Sequence, residues 1–204
     1  MTHRSTTPET TLDTSETDME LLTRWRGGDK VAAGVLVDRY FEPVQRFFRS
    51  KVAGEIEDLV QQTFLGCLEA QIRLLGETSF RAYLFGVARY QLYHYYSRKR
   101  RGAALDFTIS SVCDLATSPT GLLARREEEQ LLLTALQRIP VDYQIVLELI
   151  YWEELPAVEV AIVLGVPENT LYSRLRRARL QLRAVMKELG APEQAWPFDR
   201  SDDE

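Results

Sequence analysis

The sequence lacks the features of several protein classes. It has two histidines and two cysteines, and Cys67 and Cys113 lie far apart without the spacing of metal ligands. We therefore expect a buried thiol at Cys67 and a linker thiol at Cys113 rather than a disulfide or a metal site. No run of about 18 apolar residues occurs, and the acidic, polar N-terminus does not resemble a secretory signal. The sequence therefore predicts a cytoplasmic protein without a membrane span.

Motifs of catalysis are also missing. The sequence contains no phosphate-binding loop, no Gly-x-Ser-x-Gly and no metal-ligand spacing. Its acidic runs, Glu127 to Glu129 and Glu153 to Glu154, are typical of solvated helix surfaces. We therefore expect no catalytic residues, no cofactor and no enzymatic activity.

The net charge of −5 is unevenly distributed along the chain. Residues 1–20 and 191–204 together carry −8, which leaves +3 for residues 21–190. Two windows contain no acidic residue and six basic residues each: Thr78 to Leu105 and Asn169 to Lys187. Basic faces of this kind can bind phosphate while acidic tails remain in solvent, so a nucleic-acid partner is compatible with the overall charge.

Helical periodicity dominates the chain, and no segment alternates convincingly like a strand. We predict an all-α protein with two small helical domains joined by a flexible linker. The linker is assigned to a stretch rich in Ser, Thr and Gly with only scattered apolar residues. The predicted segments are a disordered acidic tail over 1–18, a first domain over 19–101, the linker over 102–123, a second domain over 124–190 and a disordered acidic tail over 191–204.

A helix-turn-helix is predicted near the end of the second domain. Val158 to Leu164 forms the first helix, Gly165-Val166-Pro167 the turn, and a second helix begins at about Glu168. At 100° per residue one stripe of the second helix is apolar and points inward. That stripe consists of Leu171, Leu175, Ala178 and Leu182.

The opposite side of this second helix is cationic and polar. Ser173, Arg176 and Arg177 point outward, with Asn169 above them and Tyr172 at the flank. Arginine can pair with phosphate and grip guanine bidentately, so this face suits the major groove of duplex DNA. The alternative is a solvated basic surface, but the preceding helix, the turn and the inward stripe all favour DNA contact.

A second basic segment, Ser79 to Arg101, interleaves aromatic and basic side chains without a carboxylate. Exposed rings on a cationic helix can stack unpaired bases while arginines hold the backbone. The alternative is that half the tyrosines belong to the core and the basic end is solvated. Seven rings are too many for one buried stripe, so we expect some to face outward. These rings are Phe80, Tyr83, Phe85, Tyr90, Tyr93, Tyr95 and Tyr96.

Together these segments resemble the extracytoplasmic-function class of the sigma-70 family of RNA polymerase sigma factors. Glu57 to Ala70 (EDLVQQTFLGCLEA) is similar to the family's polymerase-binding helix, and Phe80 to Arg101 to its helix for the −10 element. Arg126 to Leu155, followed by LGVPENTLYSRLRRAR, is similar to the domain for the −35 element. The resemblance covers about Leu21 to Leu189.

The resemblance implies a subunit, without cofactor, that binds core RNA polymerase on the clamp helices of its largest subunit, recruits it to promoter DNA and melts the −10 region. Three sets of residues carry these roles by their positions. The −35 set is Asn169, Tyr172, Ser173, Arg174, Arg176 and Arg177. The −10 set is Arg81, Tyr83, Arg89, Tyr90, Tyr93, His94, Arg98, Lys99, Arg100 and Arg101. The polymerase set is Asp58, Gln61, Gln62 and Phe64.

Further expectations also follow from the resemblance. Leu74 to Ser79 corresponds to the loop that captures a flipped base of the non-template strand, and the linker to the segment directed at the polymerase active centre. An anti-sigma factor is usual in the family, and the cleft between the domains would be its seat. The chain departs from the family at Tyr90 and His94, where Asn and Asp are usual, and at Pro156, where a small or hydroxyl residue is usual.

A different class of protein would explain part of the sequence. A stand-alone helix-turn-helix regulator could bind duplex DNA through Leu155 to Arg183 without polymerase. It would leave the aromatic-basic segment and the LVQQTF motif without a function. A polymerase pull-down separates the two hypotheses.

Overall fold

The computed structural model describes residues 16–69, 78–99, 106–115 and 127–192. These residues are mainly helical, as predicted, and contain one isolated β-bridge, between Ser111 and Pro140, but no strand. Most of both predicted tails, the expected base-capturing loop up to residue 77, and Arg100 and Arg101 lie outside the described residues. The helices are α1 (Asp18–Arg26), α2 (Lys30–Arg49), α3 (Ile56–Glu69), α4 (Phe80–Lys99), α5 (Val112–Leu115), α6 (Glu127–Arg138), α7 (Val141–Tyr151), α8 (Ala157–Leu164) and α9 (Glu168–Glu188).

Side-chain caps define where the first two helices begin. Thr17 and Glu20 form a reciprocal capping box at the start of α1, and Asp29 accepts hydrogen bonds from two backbone amides at the start of α2. Asp18, which the sequence analysis assigned to the tail, bonds to Arg39 and Tyr40 of α2. Helix α1 and its N-terminal cap therefore begin slightly before the predicted start of the first domain at residue 19.

The first helical domain, α1 to α4, packs around large apolar side chains. Phe48, Phe80, Phe85 and Leu92 are almost completely buried. Helices α3 and α4 approach closely at Gly66, where an added Cβ would lie 2.8 Å from the Val87 side chain. This contact holds α4 directly against α3.

The second helical domain, α6 to α9, contains the predicted helix-turn-helix. Gly165 ends α8 with φ of 66°, the left-handed conformation that glycine adopts without a steric penalty. Leu171, Ala178 and Leu182 of α9 are buried, and Leu175 packs against them. The inward stripe predicted from helical spacing is therefore confirmed.

Residues 106–115 of the predicted linker lie within the described part of the chain. Asp106 to Leu115 includes the short helix α5, and Phe107 is buried with its ring stacked on Tyr93 at a centroid distance of 3.8 Å. The backbone amides of Val141 and Asp142 donate to carbonyl groups of this segment at 3.0 Å. Three apolar residues of this segment are buried: Phe107, Val112 and Leu115.

The two domains also share one buried cluster. It runs from α2, α3 and α4 into α7 and α8, and ends at Leu171 of α9. Helix α8, the first helix of the helix-turn-helix, packs directly on α4. The two domains are therefore packed against each other in this structure.

Candidate nucleic-acid interface

The outward face of α9 is open to solvent. Asn169, Tyr172, Ser173, Arg176 and Arg177 are all exposed, in agreement with their predicted placement. Local bonds position two of them: Tyr172 donates to Glu168 at 3.3 Å, and Ser173 donates to the Thr170 carbonyl at 2.8 Å. The structure thus presents two arginines and three polar groups on one side of the second helix of a helix-turn-helix.

Arg174 of the predicted −35 set lies off this face. Its guanidinium is 3.1 Å from the carboxylate of Asp142, which is itself buried in α7. Only 19% of the Arg174 side chain is exposed. The sequence did not reveal this contact, because Asp142 lies 32 positions earlier in the chain.

The predicted −10 set does not lie on one side of α4. Tyr90, His94 and Arg98 follow one another by four residues and are exposed. We call these three residues the open face. The Tyr90 ring, 65% exposed, stacks on His94 with a centroid distance of 6.2 Å and an interplanar angle of 13°. This pair presents a flat aromatic surface to solvent.

Arg81, Arg89 and Tyr93 form a second stripe, which we call the covered face. At 100° per residue its centre lies about 150° from that of the open face. The Arg81 guanidinium is 2.7 Å from the Glu153 carboxylate, whose other oxygen is 2.5 Å from Arg46 of α2. The second domain therefore binds an arginine that the sequence assigned to DNA.

Arg89 and Tyr93 converge on the buried Asp142 carboxylate. Arg89 lies 3.4 Å from Asp142 and donates at 3.1 Å to the Tyr93 hydroxyl, which itself bonds to Asp142. Burial, with the adjacent carboxylate, raises the pKa of the Tyr93 hydroxyl. Asp142 therefore joins α4, α7 and, through Arg174, the helix-turn-helix.

Fewer rings of α4 face outward than the sequence suggested. Phe80, Phe85, Tyr95 and Tyr96 are buried. Tyr83 is partly buried and donates at 3.4 Å to the Gly66 carbonyl. Helical spacing underestimates the core here, because α4 packs against helices on several sides. Of the seven residues only Tyr90 is exposed, while Tyr83 and Tyr93 are partly buried.

The basic end of α4 is held less tightly. Arg98 and Lys99 are exposed. Lys99 donates to the Tyr95 hydroxyl at 2.6 Å and lies 3.7 Å from Glu55. Arg98 ends the open face, whereas Lys99 lies at the same angle around the helix axis as Arg81.

Helix α3 carries a polar surface beside α4. Asp58, Gln61 and Gln62 are exposed, as predicted. Phe64 differs from the prediction: it is 5% exposed and its ring lies 6.4 Å from that of Trp25, so it is a core residue rather than a surface anchor. The exposed apolar group on this face is Leu65, 48% exposed and seven residues after Asp58. Helical spacing from Asp58 would have identified it.

The remaining sequence features have simple structural roles. Cys67 is buried and unpaired, as predicted, and burial raises the pKa of its thiol to about 12. Cys113 is exposed on α5. Within the described ranges no group of three or more His, Cys, Asp or Glu side chains could hold a metal ion. No described helix combines the length and apolar character that crossing a bilayer requires.

Comparison with protein families identifies this arrangement. Residues 36–102 match the model for sigma-70 region 2, and residues 129–182 match the model for sigma-70 region 4. The two matches lie on the two helical domains and include α3, α4, α8 and most of α9. The chain belongs to the sigma-70 family and is an RNA polymerase sigma factor of the extracytoplasmic-function type.

Sequence similarity to two named sigma factors extends over most of the chain. The RNA polymerase sigma-H factor of Pseudomonas aeruginosa is 28% identical over 190 residues, which are 86% of this chain and 97% of that protein. The ECF RNA polymerase sigma-E factor of Escherichia coli is 26% identical over 173 residues, 80% of this chain and 91% of that protein. Proteins of this family are transcription initiation factors.

Two solved structures share the fold. CnrH, in complex with the cytosolic domain of CnrY, matches with a TM-score of 0.60 and 22% identity, over 85% of this chain and 99% of that one. The sigma factor RpoE of Bartonella quintana, in complex with the anti-sigma factor NepR, matches with a TM-score of 0.57 and 22% identity, over 76% of this chain and 96% of that one. Both likenesses concern the arrangement of the helices.

Proposed function

We propose that the outward face of α9 reads the −35 element and that α4 reads and melts the −10 element, while the polar face of α3 binds the clamp helices of core polymerase. The observation that supports this most strongly is the five-residue outward face of α9. It is exposed, polar and cationic on a helix-turn-helix whose inward stripe is buried. Such a helix fits the major groove, where base edges are distinguishable.

The open face of α4 supports contact with unpaired bases. Base stacking on an aromatic side chain contributes about 1–3 kcal/mol per base and does not require a particular sequence. Tyr90 and His94 provide such a surface, and Arg98 and Lys99 provide cations for the phosphate backbone. Because the second domain binds duplex DNA and the first binds unpaired bases, the protein can stabilise an opened promoter.

The polymerase contact is assigned to Asp58, Gln61, Gln62 and, in place of Phe64, Leu65. An exposed apolar side chain within a polar rim is the usual composition of an interface anchor. The protein itself has no catalytic role in this scheme and acts in the cytoplasm, where polymerase works. An anti-sigma factor, as in the structure of RpoE with NepR, would be its regulator.

Run-off transcription tests this function. Purified core polymerase is combined with the full chain on a library of genomic fragments, with core polymerase alone as the control. We expect new transcripts that begin at a common sequence element and depend on the chain. Unchanged start sites, together with sequence-specific binding of the chain alone to duplex DNA, would favour the stand-alone regulator.

A further inference from the structure

Glu168, the first residue of α9, is an exposed carboxylate at the leading end of a basic helix. The sequence that follows it, from Asn169 to Lys187, contains no acidic residue. The phosphates of DNA repel a carboxylate, so an acid at this position does not favour DNA binding in general. Its effect on binding therefore depends on which group of the groove the carboxylate meets.

The local structure gives Glu168 no capping role at the start of α9. Pro167 is the N-cap residue, and among the described residues no side chain bonds to this cap. The amides of Thr170 and Leu171 donate to the Pro167 carbonyl at 2.9 and 3.1 Å. The structural contribution that Glu168 retains is the favourable position of an acid at the positive end of the helix dipole. That contribution is the same for every DNA sequence.

Tyr172 holds the Glu168 side chain in place. The two residues are one helical turn apart, and the Tyr172 hydroxyl donates to Oε1 of Glu168 at 3.3 Å. Tyr172 belongs to the outward face of α9 and is 52% exposed. The bond therefore keeps the carboxylate beside that face. The other carboxylate oxygen, Oε2, has no hydrogen-bond partner within the described ranges, so it is available to a donor on a base edge.

The major groove offers a carboxylate its best partner at cytosine. Cytosine presents the N4 amine, which donates, and no acceptor. Guanine presents two acceptors, thymine presents an acceptor and a methyl group, and adenine places its N7 acceptor beside its N6 donor. A carboxylate can only accept, so it is attracted to cytosine and repelled by the acceptors of the other three bases.

Helix geometry separates this contact from that of the arginines. The N-terminal residues of a recognition helix are the ones that reach base edges. Glu168 lies nine residues before Arg177, which is about 13.5 Å along the axis at 1.5 Å per residue. That distance equals roughly four base-pair steps of 3.4 Å. Glu168 and Arg177 therefore reach different base pairs.

We propose that Glu168 is a further specificity-determining residue, which reads a cytosine of the −35 element through its N4 amine, and that Tyr172 positions the carboxylate. The inference rests on the proposed function, because it requires α9 to lie in the major groove. Glu168 adds little to the overall affinity, since its repulsion from phosphate opposes the base contact. Its role is to select among sequences.

Replacement of the carboxylate by an amide tests this role. Glutamine pairs bidentately with adenine, whose N6 amine donates to the amide oxygen and whose N7 accepts from the amide nitrogen. Glu168→Gln is compared with the wild type and with Glu188→Gln, which removes the same charge at an exposed position in the last turn of α9. Holoenzyme containing each full chain is bound to promoters in which every −35 position is varied through all four bases. Electrophoretic mobility shifts measure the affinities.

The wild type and Glu188→Gln should prefer cytosine at one −35 position by about tenfold over the other bases. Glu168→Gln should lose this preference and favour adenine at the same position. Tyr172→Phe, which keeps the ring and removes the hydroxyl, should reduce the cytosine preference about threefold. An unchanged base preference in Glu168→Gln, or an equal change of affinity on every promoter, would overturn the proposal, because a purely structural acid does not discriminate between bases.

The same measurements separate this inference from the proposed function. If the wild type shows base preferences in the −35 element and Glu168→Gln leaves all of them unchanged, the inference is rejected and the proposed function stands. If the wild-type holoenzyme binds every −35 variant equally, α9 does not read the element, and both are rejected.

Discussion

The two helices proposed to bind DNA, α4 and α9, differ in how much of their polar surface is available. Helix α9 has its inward side in the second domain and its outward face in solvent. Helix α4 is enclosed by its own domain and by the second one, so only the open face around Tyr90 is accessible. The main packing partners of α9 are helices of its own domain, whereas α4 also packs on α8 of the other domain. The difference teaches that a helix packed mainly within one domain can display its function in the free protein, whereas a helix packed by both domains displays only part of it.

The largest expected effect concerns the buried ion pair between Glu148 of the second domain and Lys51 of the first. Glu148→Ala leaves the buried ammonium of Lys51 without its carboxylate, which typically costs about 3–5 kcal/mol. Burial already lowers the pKa of Lys51. We expect a decrease of that size in the free energy of unfolding, measured by urea denaturation. Glu188→Ala, at an exposed position, should change it by less than about 0.5 kcal/mol, and an equally small effect at Glu148 would show that the pair is not buried in solution.

The next effect concerns the free face of α9. Arg177→Ala should weaken binding of the holoenzyme to its promoter by about 1–3 kcal/mol if the guanidinium reads a base edge. Electrophoretic mobility shifts on the promoter and on a version with an altered −35 element measure this loss. An equal loss on both DNAs would identify a phosphate contact instead. Arg138→Ala, an exposed arginine at the end of α6, is the matched control and should have no effect.

A comparable or smaller effect is expected on the open face of α4. Tyr90→Ala removes the exposed ring and should reduce strand opening by about 1–3 kcal/mol while duplex binding is retained. Permanganate reactivity of the −10 thymines measures the opened fraction. Tyr90→Phe keeps the ring and should behave as the wild type. Equal reactivity of Tyr90→Ala and Tyr90→Phe would exclude stacking at this position.

The smallest effect concerns the polymerase surface beside α4. Leu65→Ala should weaken binding to core polymerase by about 1–2 kcal/mol and leave the melting temperature nearly unchanged, since the side chain is half exposed. Fluorescence anisotropy of the labelled chain with core polymerase measures the affinity. Val31→Ala, another half-exposed aliphatic position, on α2, should leave both quantities unchanged. A similar loss for both variants would remove Leu65 from the interface.

The helix-turn-helix was predictable from the sequence because its information is local. The inward stripe from Leu171 to Leu182, the glycine turn and the outward arginines all follow from the spacing within one short segment. Phe64 shows the limit of this approach: family position suggested a surface anchor, whereas packing against Trp25 makes Phe64 part of the core. Leu65, its neighbour, carries the exposure that had been expected of Phe64.

The domain interface could not be predicted, because its partners are remote in sequence. Asp142 meets Arg89 across 53 positions, and Glu153 meets Arg46 across 107. Neither carboxylate belongs to a motif, and acidic residues on helices are usually solvated. The anchoring of Phe107 was missed for a related reason: a single apolar residue in a polar segment gives no periodic signal. Such contacts depend on the shape of the assembled domains.

The central claim is that the chain enables core polymerase to open DNA at a chosen site. Permanganate footprinting of the run-off promoter with core polymerase, with and without the chain, tests it most directly. We predict reactive thymines near −10 only when the chain is present. Thymines that remain unreactive with the chain, although polymerase is bound, would contradict the account.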